Sequence, residues 1–368
     1  MMKTAKNLFE KIIAFDNLLL ASRKAQKGKK YKPNVAHFNV NLEKELLALE
    51  RELQAETYQP GNYRTFYITD PKVRMISAAP YRDRVVHHAL CNIIEPIFDK
   101  SMIFDTYANR KGKGTHKAIY RCQHFLRQNN WYLKCDIQKY FPSIDHKILK
   151  QAIRQKISCA KTLRLIDRII DNSNPQEPIF DYFPDDDLFS RTERRHGLPM
   201  GNLTSQYFAN LYLSAFDHFV KNELRSEYIR YVDDFIIFGN SKQQMHDFRK
   251  RIEYFLEKKR LKIHKHKTII APSEEGVSFL GQRIFKTHRR LRSENVRLFW
   301  KRLNKKVEQF RNDTISATHF EQSLNAWRGH ALQANTEGLV RLTDKIIIFK
   351  KGLNWIKTER NTFCLLEA

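Results

Sequence analysis

An aspartate pair, Asp233 and Asp234, stands between two apolar runs at residues 228–232 and 235–238. The β-branched and aromatic residues of these runs favour strands, and a tight hairpin at the pair would hold two carboxylates at one end of a sheet. Two adjacent carboxylates are costly to keep ionised without a cation beside them. The pattern therefore indicates Mg²⁺, which takes carboxylate oxygens and substrate phosphates, although the pair taken alone also fits a solvated turn.

A third carboxylate follows another β-rich run. Residues 131–135 lead into Asp136, and two aromatic residues and a Pro-Ser break come shortly after it. An aspartate at the end of a central strand is a suitable third ligand for a metal held by the hairpin pair. We therefore predict that Asp136, Asp233 and Asp234 come together at one edge of a sheet.

Two further clusters look like sites but are interpreted otherwise. Residues 185–187 are all aspartate, yet they lie in a proline-containing loop without flanking strands, so we predict that they are exposed and solvated. His87, His88 and Cys91 superficially suggest metal ligands, but no further Cys or His stands at a suitable spacing. The five cysteines form no CxxC pair, which indicates a reducing compartment and argues against a structural zinc site.

The charge of the chain predicts a polyanionic partner. Lysine and arginine number 66 against 40 acidic residues, a formal net charge of +26, and nucleic acid is the usual partner of such an excess. A basic loop at residues 107–116 leads into a helix and suits backbone phosphates, because it lacks the spacing of a nucleotide-binding P-loop. The sequence shows neither an apolar run of membrane-spanning length nor a signal-peptide core, so we expect a cytoplasmic protein.

Apolar spacing predicts a mixture of helices and strands around these residues. Helices are predicted at residues 5–28, from 41 to the turn at Pro60, at 82–97, from 117, at 147–170, 207–219 and 243–260, and from 287 onward, where Trp300, Phe310, Trp327, Phe349 and Trp355 supply apolar faces. Strands are predicted at residues 65–69 and 72–77 with a bend at Asp70-Pro71, at 131–136, on both sides of the aspartate pair, at 261–270 and in a short hairpin at 277–285.

Three local features add binding expectations. Lys72 and Arg74 would lie on one face of the second strand of the first hairpin, where they suit a triphosphate. Gly201 permits close approach of the backbone to a ligand, and Thr204 and Ser205 can cap the helix that follows.

The order of these motifs resembles the reverse transcriptase family from about residue 60 to residue 285. Asp136 matches the first catalytic aspartate, and residues 231–234 match the catalytic box. The other matching positions are the fingers hairpin with Lys72 and Arg74, the aromatic gate Phe141, the segment 198–201 with Met200 and Gly201, a basic motif with Lys265 or Lys267, and the primer grip Phe279, Leu280 and Gly281.

The resemblance implies an α/β (α+β) right-hand polymerase that makes DNA on RNA. It implies two Mg²⁺ ions, with Asp136 and Asp233 as main contacts and Asp234 beside them, and dNTP binding by Lys72, Arg74, Phe141, Met200, Gly201 and Lys267. The implied nucleic-acid contacts are Arg110, Lys111, Lys113, Arg297 and Lys301. The implied divisions are an N-terminal helical extension at 1–60, fingers at 61–130 and 147–195, a palm at 131–146 and 196–286, and a helical thumb at 287–368.

Residues 200–206 look like reverse transcriptases of diversity-generating retroelements, because group II intron enzymes usually carry Gln-Gly at the positions of Met200 and Gly201 and end the segment in Ser-Pro. This subtype implies a bacterial or phage-encoded enzyme that makes adenine-mutagenised cDNA. Its implied partners are a template RNA, the RNA/cDNA duplex, dNTPs and a basic helical-bundle accessory protein, itself a homo-oligomer, which RNA or an acidic patch at 185–187 would join to this basic chain.

Several alternatives stay open. The chain fits another bacterial reverse transcriptase of the group II intron or retron type without mutagenic function, although the thumb shows no retron-like Val-Thr-Gly. A non-catalytic RNA-binding hand and an RNA-directed RNA polymerase are the other candidates, and Phe141 favours dNTPs over the latter. We expect no splicing function, since no maturase-type extension is recognised and about 85 residues after the primer grip leave no room for an HNH or RNase H segment.

Overall fold

The computed structural model describes residues 5–69, 72–179, 181–184, 186–187, 189–343, 355–357 and 363–365. The chain divides into two compact units. The first comprises Met1–Gly114, Leu133–Gly239 and Gln243–Ile270, and the second comprises Thr115–Tyr132, Asn240–Lys242 and Ala271–Ala368. No helix in the described ranges is long and apolar enough to cross a membrane.

Helices supply most of the regular structure. In chain order they are α1 (Phe9–Ile13), α2 (Phe15–Ala25), α3 (Pro33–Val40), α4 (Leu42–Gln54), α5 (Tyr81–Asp99), α6 (Thr115–Gln128), α7 (Tyr140–Ser143), α8 (His146–Arg154), α9 (Ala160–Asp171), α10 (Ser190–Glu193), α11 (Leu203–Tyr212), α12 (Ser214–Asn222), α13 (Lys242–Glu257), α14 (Ser293–Arg311) and α15 (Ala317–Ala331). Residues 337–343 are also helical.

Within the described residues, the strands form four small sheets. In chain order they are β1 (Arg64–Ile68), β2 (Arg74–Ala78), β3 (Trp131–Asp136), β4 (Tyr228–Tyr231), β5 (Asp234–Gly239), β6 (Ile269–Pro272), β7 (Val277–Phe279), β8 (Gln282–Ile284), β9 (Arg289–Leu291), β10 (Trp355–Lys357) and β11 (Phe363–Leu365). The sheets have the strand orders β1-β2, β4-β5-β3-β6, β7-β8-β9 and β10-β11.

The four-stranded sheet carries the predicted catalytic residues. Its strand β5 is buried from Phe235 onward, which agrees with an uninterrupted apolar run covered on both faces. Strands β4 and β5 pair antiparallel as the sequence predicts, with Ile229 opposite Ile236. Helices α11 and α12 contribute further buried aromatic side chains, and Phe216 contacts the rings of Tyr228 and Phe235.

The N-terminal helices differ from the prediction in their boundaries. The chain leaves helical geometry at Ala14, which divides the predicted helix at 5–28 into α1 and α2. The basic connection after α2 ends in a further helix, α3, which starts at Pro33 because proline is well accommodated at a first helical position. Helix α4 buries Leu46, Leu49 and Leu53, the spacing on which its prediction rested.

Other element predictions need correction. Residues 147–170 form two helices, α8 and α9, and residues 261–269 are mostly not a strand, since Lys265–Lys267 form a 3-10 turn before β6. Helix α11 has Asn202 at its N-cap and no capping side chain, so the predicted role of Thr204 and Ser205 was wrong. Both residues are buried inside the first turn of the helix.

A purely helical chain was predicted after residue 287, but the second unit also contains a strand there. Strand β9 extends the predicted hairpin β7-β8 to three strands before α14 begins. Helices α14 and α15 then pack through Leu303, Val307, Phe320 and Leu324, with Trp300 and Phe310 against them, while Phe299 stacks on Trp327 with ring centroids 3.7 Å apart. Phe349 and the side chain of Trp355 lie outside the described residues.

Candidate active site

The aspartate pair occupies a two-residue hairpin turn. Tyr231 pairs with Asp234, so Val232 and Asp233 form the bend and Asp234 is already the first residue of β5. Val232 has a φ of 59°, a conformation that β-branched residues rarely adopt and that hairpin turns usually give to glycine. The predicted tight hairpin is confirmed, and only one of the two carboxylates lies within the bend itself.

Strand β3 brings the third carboxylate to the same place. The backbone N–H of Ile137 donates to the carbonyl of Asp233 at 3.2 Å, and that of His264 donates to the carbonyl of Asp136 at 2.7 Å. Burial and the neighbouring Asp136 charge both raise the pKa of Asp233, against the opposing effect of Lys267 and Arg74. Asp136 and Asp233 are therefore electrostatic neighbours at one sheet end, as the sequence indicated.

Two lysines partner this acidic group. Lys267 donates to Asp136 Oδ1 at 2.8 Å, and the Lys134 Nζ lies 3.3 Å from Asp234 Oδ2. Burial raises the pKa of Asp234 to about 6 despite the Lys134 charge, and its Oδ1 is buried without a hydrogen-bond partner. The sequence analysis missed Lys134, although its position two residues before Asp136 on β3 places both side chains on one face.

The donor set fits a hard divalent cation. Among the described residues no group of three ligating side chains is preassembled, and lysine ammonium groups lie against Asp136 and Asp234. Raised carboxylate pKa values and an orphaned carboxylate oxygen are what a site shows when its counter-charge is incomplete. Asp136 and Asp233 would hold the ion, and Asp234, with Lys134 against it, would contribute less.

A buried ion pair supports the turn from behind. Arg230 and Asp217 are both fully buried, with the Arg230 Nη2 and Asp217 Oδ2 atoms 2.6 Å apart and a second bond from Nε to Oδ1 at 2.7 Å. The guanidinium also donates to the carbonyl of Val232 at 2.9 Å and to Asn210 Oδ1 at 3.2 Å. Sequence reasoning missed this pair because nothing in the spacing links residues 217 and 230.

The β1-β2 hairpin, which was predicted to bind a triphosphate, agrees only partly with the prediction. Arg74 begins β2 and is exposed, whereas Lys72 lies before the strand, so the two do not share one strand face. The predicted bend, Asp70-Pro71, lies outside the described residues. Arg74 nevertheless lowers the pKa of Asp233, which places its charge near the catalytic turn.

The segment before α11 packs against this hairpin. The Ser77 N–H donates to the carbonyl of Met200 at 2.9 Å. Gly201 has a φ of 109°, and a Cβ there would lie 2.9 Å from the Ile76 side chain. The close backbone approach that Gly201 permits is therefore an approach to β2.

The two aromatic residues after Asp136 have separate environments. Tyr140 is buried, and its hydroxyl donates to the carbonyl of Ala209. Phe141 is half-buried, with its ring centroid 5.7 Å from that of Tyr140. Phe141 is thus the more accessible of the two candidates for a substrate gate.

The predicted nucleic-acid contacts divide into inward and outward residues. Arg110 is turned inward, donating to Asp99, Ile103 and Thr106, and Lys113 donates to the carbonyl of Phe104 at 2.8 Å. Both side chains thereby fix the shape of the loop, and Lys111 is exposed at its tip. In the second unit, Arg297 and Lys301 are exposed on α14 one turn apart.

The predicted primer-grip residues end β7 and form the tight turn between β7 and β8. Phe279 is buried, while Leu280 and Gly281 have positive φ values of 49° and 84°. The N–H of Arg292 and the side-chain amide of Asn295 both donate to the carbonyl of Gly281. The turn is thereby tied to the start of α14.

The acidic run at 185–187 was wrongly predicted to be wholly solvated. Asp186 has a side chain only 1% exposed, and Arg194 donates to it. Burial alone would raise the pKa of Asp186, but the hydrogen bonds from Arg194 and the Phe183 N–H, together with the Arg194 and Arg260 charges, lower it overall. Asp187 is exposed and bonds Ser190, and Asp185 lies outside the described residues.

The histidine cluster belongs to the core of α5. His87 is 2% exposed, and burial lowers its pKa to about 3. Cys91 is buried as well, and burial raises the pKa of its thiol. His87 and Cys91 are thus buried core residues, as their position on the apolar side of a helix allows.

Comparison with known proteins agrees with this geometry. Residues 69–284, more than half of the chain, match the family model described as reverse transcriptase (RNA-dependent DNA polymerase). The chain belongs to the reverse transcriptase family. This membership, together with the mixed helix and strand structure, confirms the predicted right-hand polymerase fold class and the prediction of an RNA-directed DNA polymerase domain. Family members use divalent metal ions, in agreement with the donor set at the sheet end.

Several of the relatives carry names of intron-encoded proteins or intron maturases. Protein YkfC of Escherichia coli is 25% identical over 70% of this chain and 75% of its own length. The group II intron-encoded protein LtrA of Lactococcus lactis is 22% identical over 65% of this chain, which spans about half of that protein. Among solved structures, apo telomerase from Candida tropicalis matches with a TM-score of 0.48 and 16% identity, covering 63% of this chain and 55% of that one.

Proposed function

We propose that this protein copies an RNA template into DNA by two-metal nucleotidyl transfer. The main observation in support is that Asp136 and Asp233 lie together at the end of one sheet, with raised carboxylate pKa values and lysine counter-charges. When bound, two Mg²⁺ ions would activate the primer 3′-hydroxyl and stabilise the leaving pyrophosphate.

The chain's own residues would orient the substrates. Arg74, Lys72 and Lys267 bind the incoming triphosphate, because each is a cation close to the carboxylate group or at the start of β2. Phe141 lies against the sugar and leaves no room for a ribose 2′-hydroxyl. Met200 and Gly201 pack against the new base pair.

The remaining contacts hold the nucleic acid. The turn at Leu280 and Gly281 positions the primer end, and the exposed Lys111, Arg297 and Lys301 contact backbone phosphates. In this proposal the N-terminal extension covers 1–60, the fingers 61–130 and 147–195, the palm 131–146 and 196–286, and the thumb 287–368.

Primer extension tests the activity. With an RNA template, a DNA primer, dNTPs and Mg²⁺, we expect extension by the parent chain, little use of rNTPs, and loss of roughly a thousandfold or more with Asp136→Ala. Asp187→Ala is the matched control, since Asp187 is an exposed aspartate bonded to Ser190. Failure of the parent chain to extend on RNA, or full activity of Asp136→Ala, would contradict the proposal.

For the biological role we propose mutagenic reverse transcription in a diversity-generating retroelement. Met200, where related enzymes carry glutamine, offers adaptable packing and no hydrogen bond that penalises a misplaced base. Met200→Gln should lower misincorporation opposite template adenine more than opposite other bases, measured by sequencing cDNA from both enzymes. Faithful copying by the parent enzyme would favour the second candidate, an intron-type reverse transcriptase without mutagenic function, which the similarity to the group II intron-encoded protein LtrA supports.

The proposed accessory partner is a basic helical-bundle homo-oligomer. Asp186 is not available to it as an acidic contact, because Arg194 already pairs with that carboxylate. We therefore propose that RNA bridges the two basic proteins. Co-elution in the presence of template RNA is expected, and separate elution both with and without RNA would remove this partner.

A further inference from the structure

The fully buried pair of Arg230 and Asp217 has no contact with solvent, which makes it an expensive feature to keep. Removing two charges from water costs several kcal/mol per ion, and apolar residues of similar volume often stabilise a fold equally well or better. Here the two charges are satisfied completely, since Asp217 accepts from Tyr228 as well as from Arg230. A pair of this kind points to a function other than stability.

One of the remaining guanidinium hydrogen bonds reaches the turn that carries Asp233, and the others go to Asn210. Arg230 Nη1 donates to the carbonyl of Val232 at 2.9 Å, one residue before Asp233. Val232 has a strained φ of 59°, which persists only where surrounding structure enforces it. The bond from Arg230 supplies such enforcement at the residue that aims the Asp233 carboxylate.

Arg230 is also hydrogen-bonded to the segment of residues 103–114, which includes most of the basic loop. The Arg230 N–H donates to the carbonyl of Asp105 at 3.0 Å, and its carbonyl accepts from the N–H of Tyr107 at 3.0 Å. Asn210, which accepts from Arg230, also donates to the carbonyl of Ala108 at 2.8 Å. The backbone that presents Lys111 and the turn that presents Asp233 are therefore anchored to one side chain and its strand.

We propose that Arg230, held by Asp217, is a positioning residue that fixes the Val232–Asp233 turn for catalysis. This inference rests on the proposed polymerase function. The planar guanidinium of Arg230 donates to Asp217, Asn210 and the Val232 carbonyl at the same time, which a lysine ammonium cannot do. Replacing both charged residues by apolar ones should therefore preserve thermal stability but lower polymerase activity.

Four variants test this separation. Arg230→Met alone leaves a buried unpaired carboxylate and should lower Tm by roughly 5–10 °C. The double variant Arg230→Met/Asp217→Leu removes both charges and should recover most of that Tm. The kcat of the double variant should nevertheless stay roughly a hundredfold below the parent value, with KM for dNTP changed little, because the turn has lost its hydrogen bond from Arg230.

Two conservative variants complete the set. Arg230→Lys retains the charge without the planar guanidinium and should show the same kcat loss with a smaller loss of Tm. Asp217→Asn should keep part of the kcat because Arg230 stays in place.

The outcomes are distinguishable from failure of the polymerase proposal. If the parent chain does not extend primers, the proposed function fails whatever the variants do. If the parent is active and the double variant recovers both Tm and kcat, the pair is structural and the positioning role is wrong. A kcat that follows Tm across all four variants would overturn it as well.

Discussion

The carboxylates of the proposed active site and the acidic run at 185–187 are alike in the sequence and opposite in the structure. Asp234 faces a single lysine, its Oδ1 is buried without a hydrogen-bond partner, and burial raises its pKa to about 6. Asp186 is bonded by Arg194 and by the N–H of Phe183, and its pKa is lowered. The first carboxylate is short of positive charge, whereas the second is saturated with it.

The difference lies in the partners that each fold element supplies. Arginine offers a fork that satisfies a carboxylate directly, and nearby Asp145 likewise lies 2.5 Å from Arg260. Lysine offers a mobile point charge that a metal ion can displace. A carboxylate paired with lysine at a strained turn therefore keeps its capacity for a cation, and one enclosed by arginines does not.

The largest expected effect distinguishes the carboxylates of the proposed active site from the acidic run at 185–187. Asp233→Ala should lower the rate of primer extension by roughly a thousandfold or more, because a ligand of the proposed metal site is lost. Its Tm should stay near that of the parent chain, since burial disfavours the charged Asp233 carboxylate in the fold. Parallel measurements of rate and thermal unfolding check both statements.

Asp186→Ala is the reverse case. It leaves the Arg194 side chain, which is 8% exposed, without its main partner and should cost about 2–3 kcal/mol of unfolding free energy. Its extension rate at a permissive temperature should match that of the parent. Loss of activity without loss of stability would show that Asp186 belongs to the functional group and that the comparison is wrong.

Local signals were sufficient to predict that Asp136 and Asp233 lie together at one sheet end. Apolar runs around Asp233, and a strand that ends at Asp136, carry enough pattern to place both residues at one sheet end. The β3 strand direction would also have identified Lys134, had the period of two been applied upstream of Asp136. Arg230 and Asp217 could not be paired in the same way, because a helix end and a strand meet through tertiary packing that leaves no spacing signal.

Predictions failed where backbone geometry depends on distant partners. The run at 185–187 lies in a polar, proline-containing loop, a pattern that predicts exposure, but the side chains of Arg194 and Asp186 are both buried. Helix α11 already begins at Leu203, so Thr204 and Ser205 lie inside its first turn, while the side chain of Asn202 at the N-cap donates to the carbonyl of Ser77. Likewise, the alternating run before β6 contains a 3-10 turn that directs Lys267 toward Asp136.

The histidine cluster provides an intermediate effect, on stability alone. His87 has a pKa of about 3 in the fold because burial disfavours its charged form, against about 6.5 in an unfolded chain. The unfolded state therefore binds the proton more readily between these values, so stability is full above pH 6.5 and falls as the pH is lowered. At pH 5 the expected loss from His87 is about 2 kcal/mol.

His87→Leu tests this reading through denaturant unfolding at pH 7.5 and pH 5. The variant should lose less stability than the parent over this interval, and His88, with a pKa of about 4, should account for part of the remainder. Mg²⁺ or Zn²⁺ should not stabilise the parent chain through this cluster. An unchanged pH dependence in His87→Leu would remove the buried histidine from the explanation.

The smallest expected effect concerns the lysine at the catalytic group itself. Lys267 lies 2.8 Å from Asp136 Oδ1 with its side chain 41% exposed, so the pair is worth roughly 0.2–1 kcal/mol. A metal ion at Asp136 must displace this ammonium group. Lys267→Met should therefore tighten Mg²⁺ binding up to about fivefold, measured by the Mg²⁺ dependence of Tm, while raising KM for dNTP because a triphosphate contact is lost. Lys265→Met is the matched control, since Lys265 is exposed on the same 3-10 turn and should change neither value. Weaker Mg²⁺ binding in Lys267→Met would mean that the lysine helps to assemble the metal site, and the distinction between displaceable lysines and saturating arginines would fail at the place where it matters most.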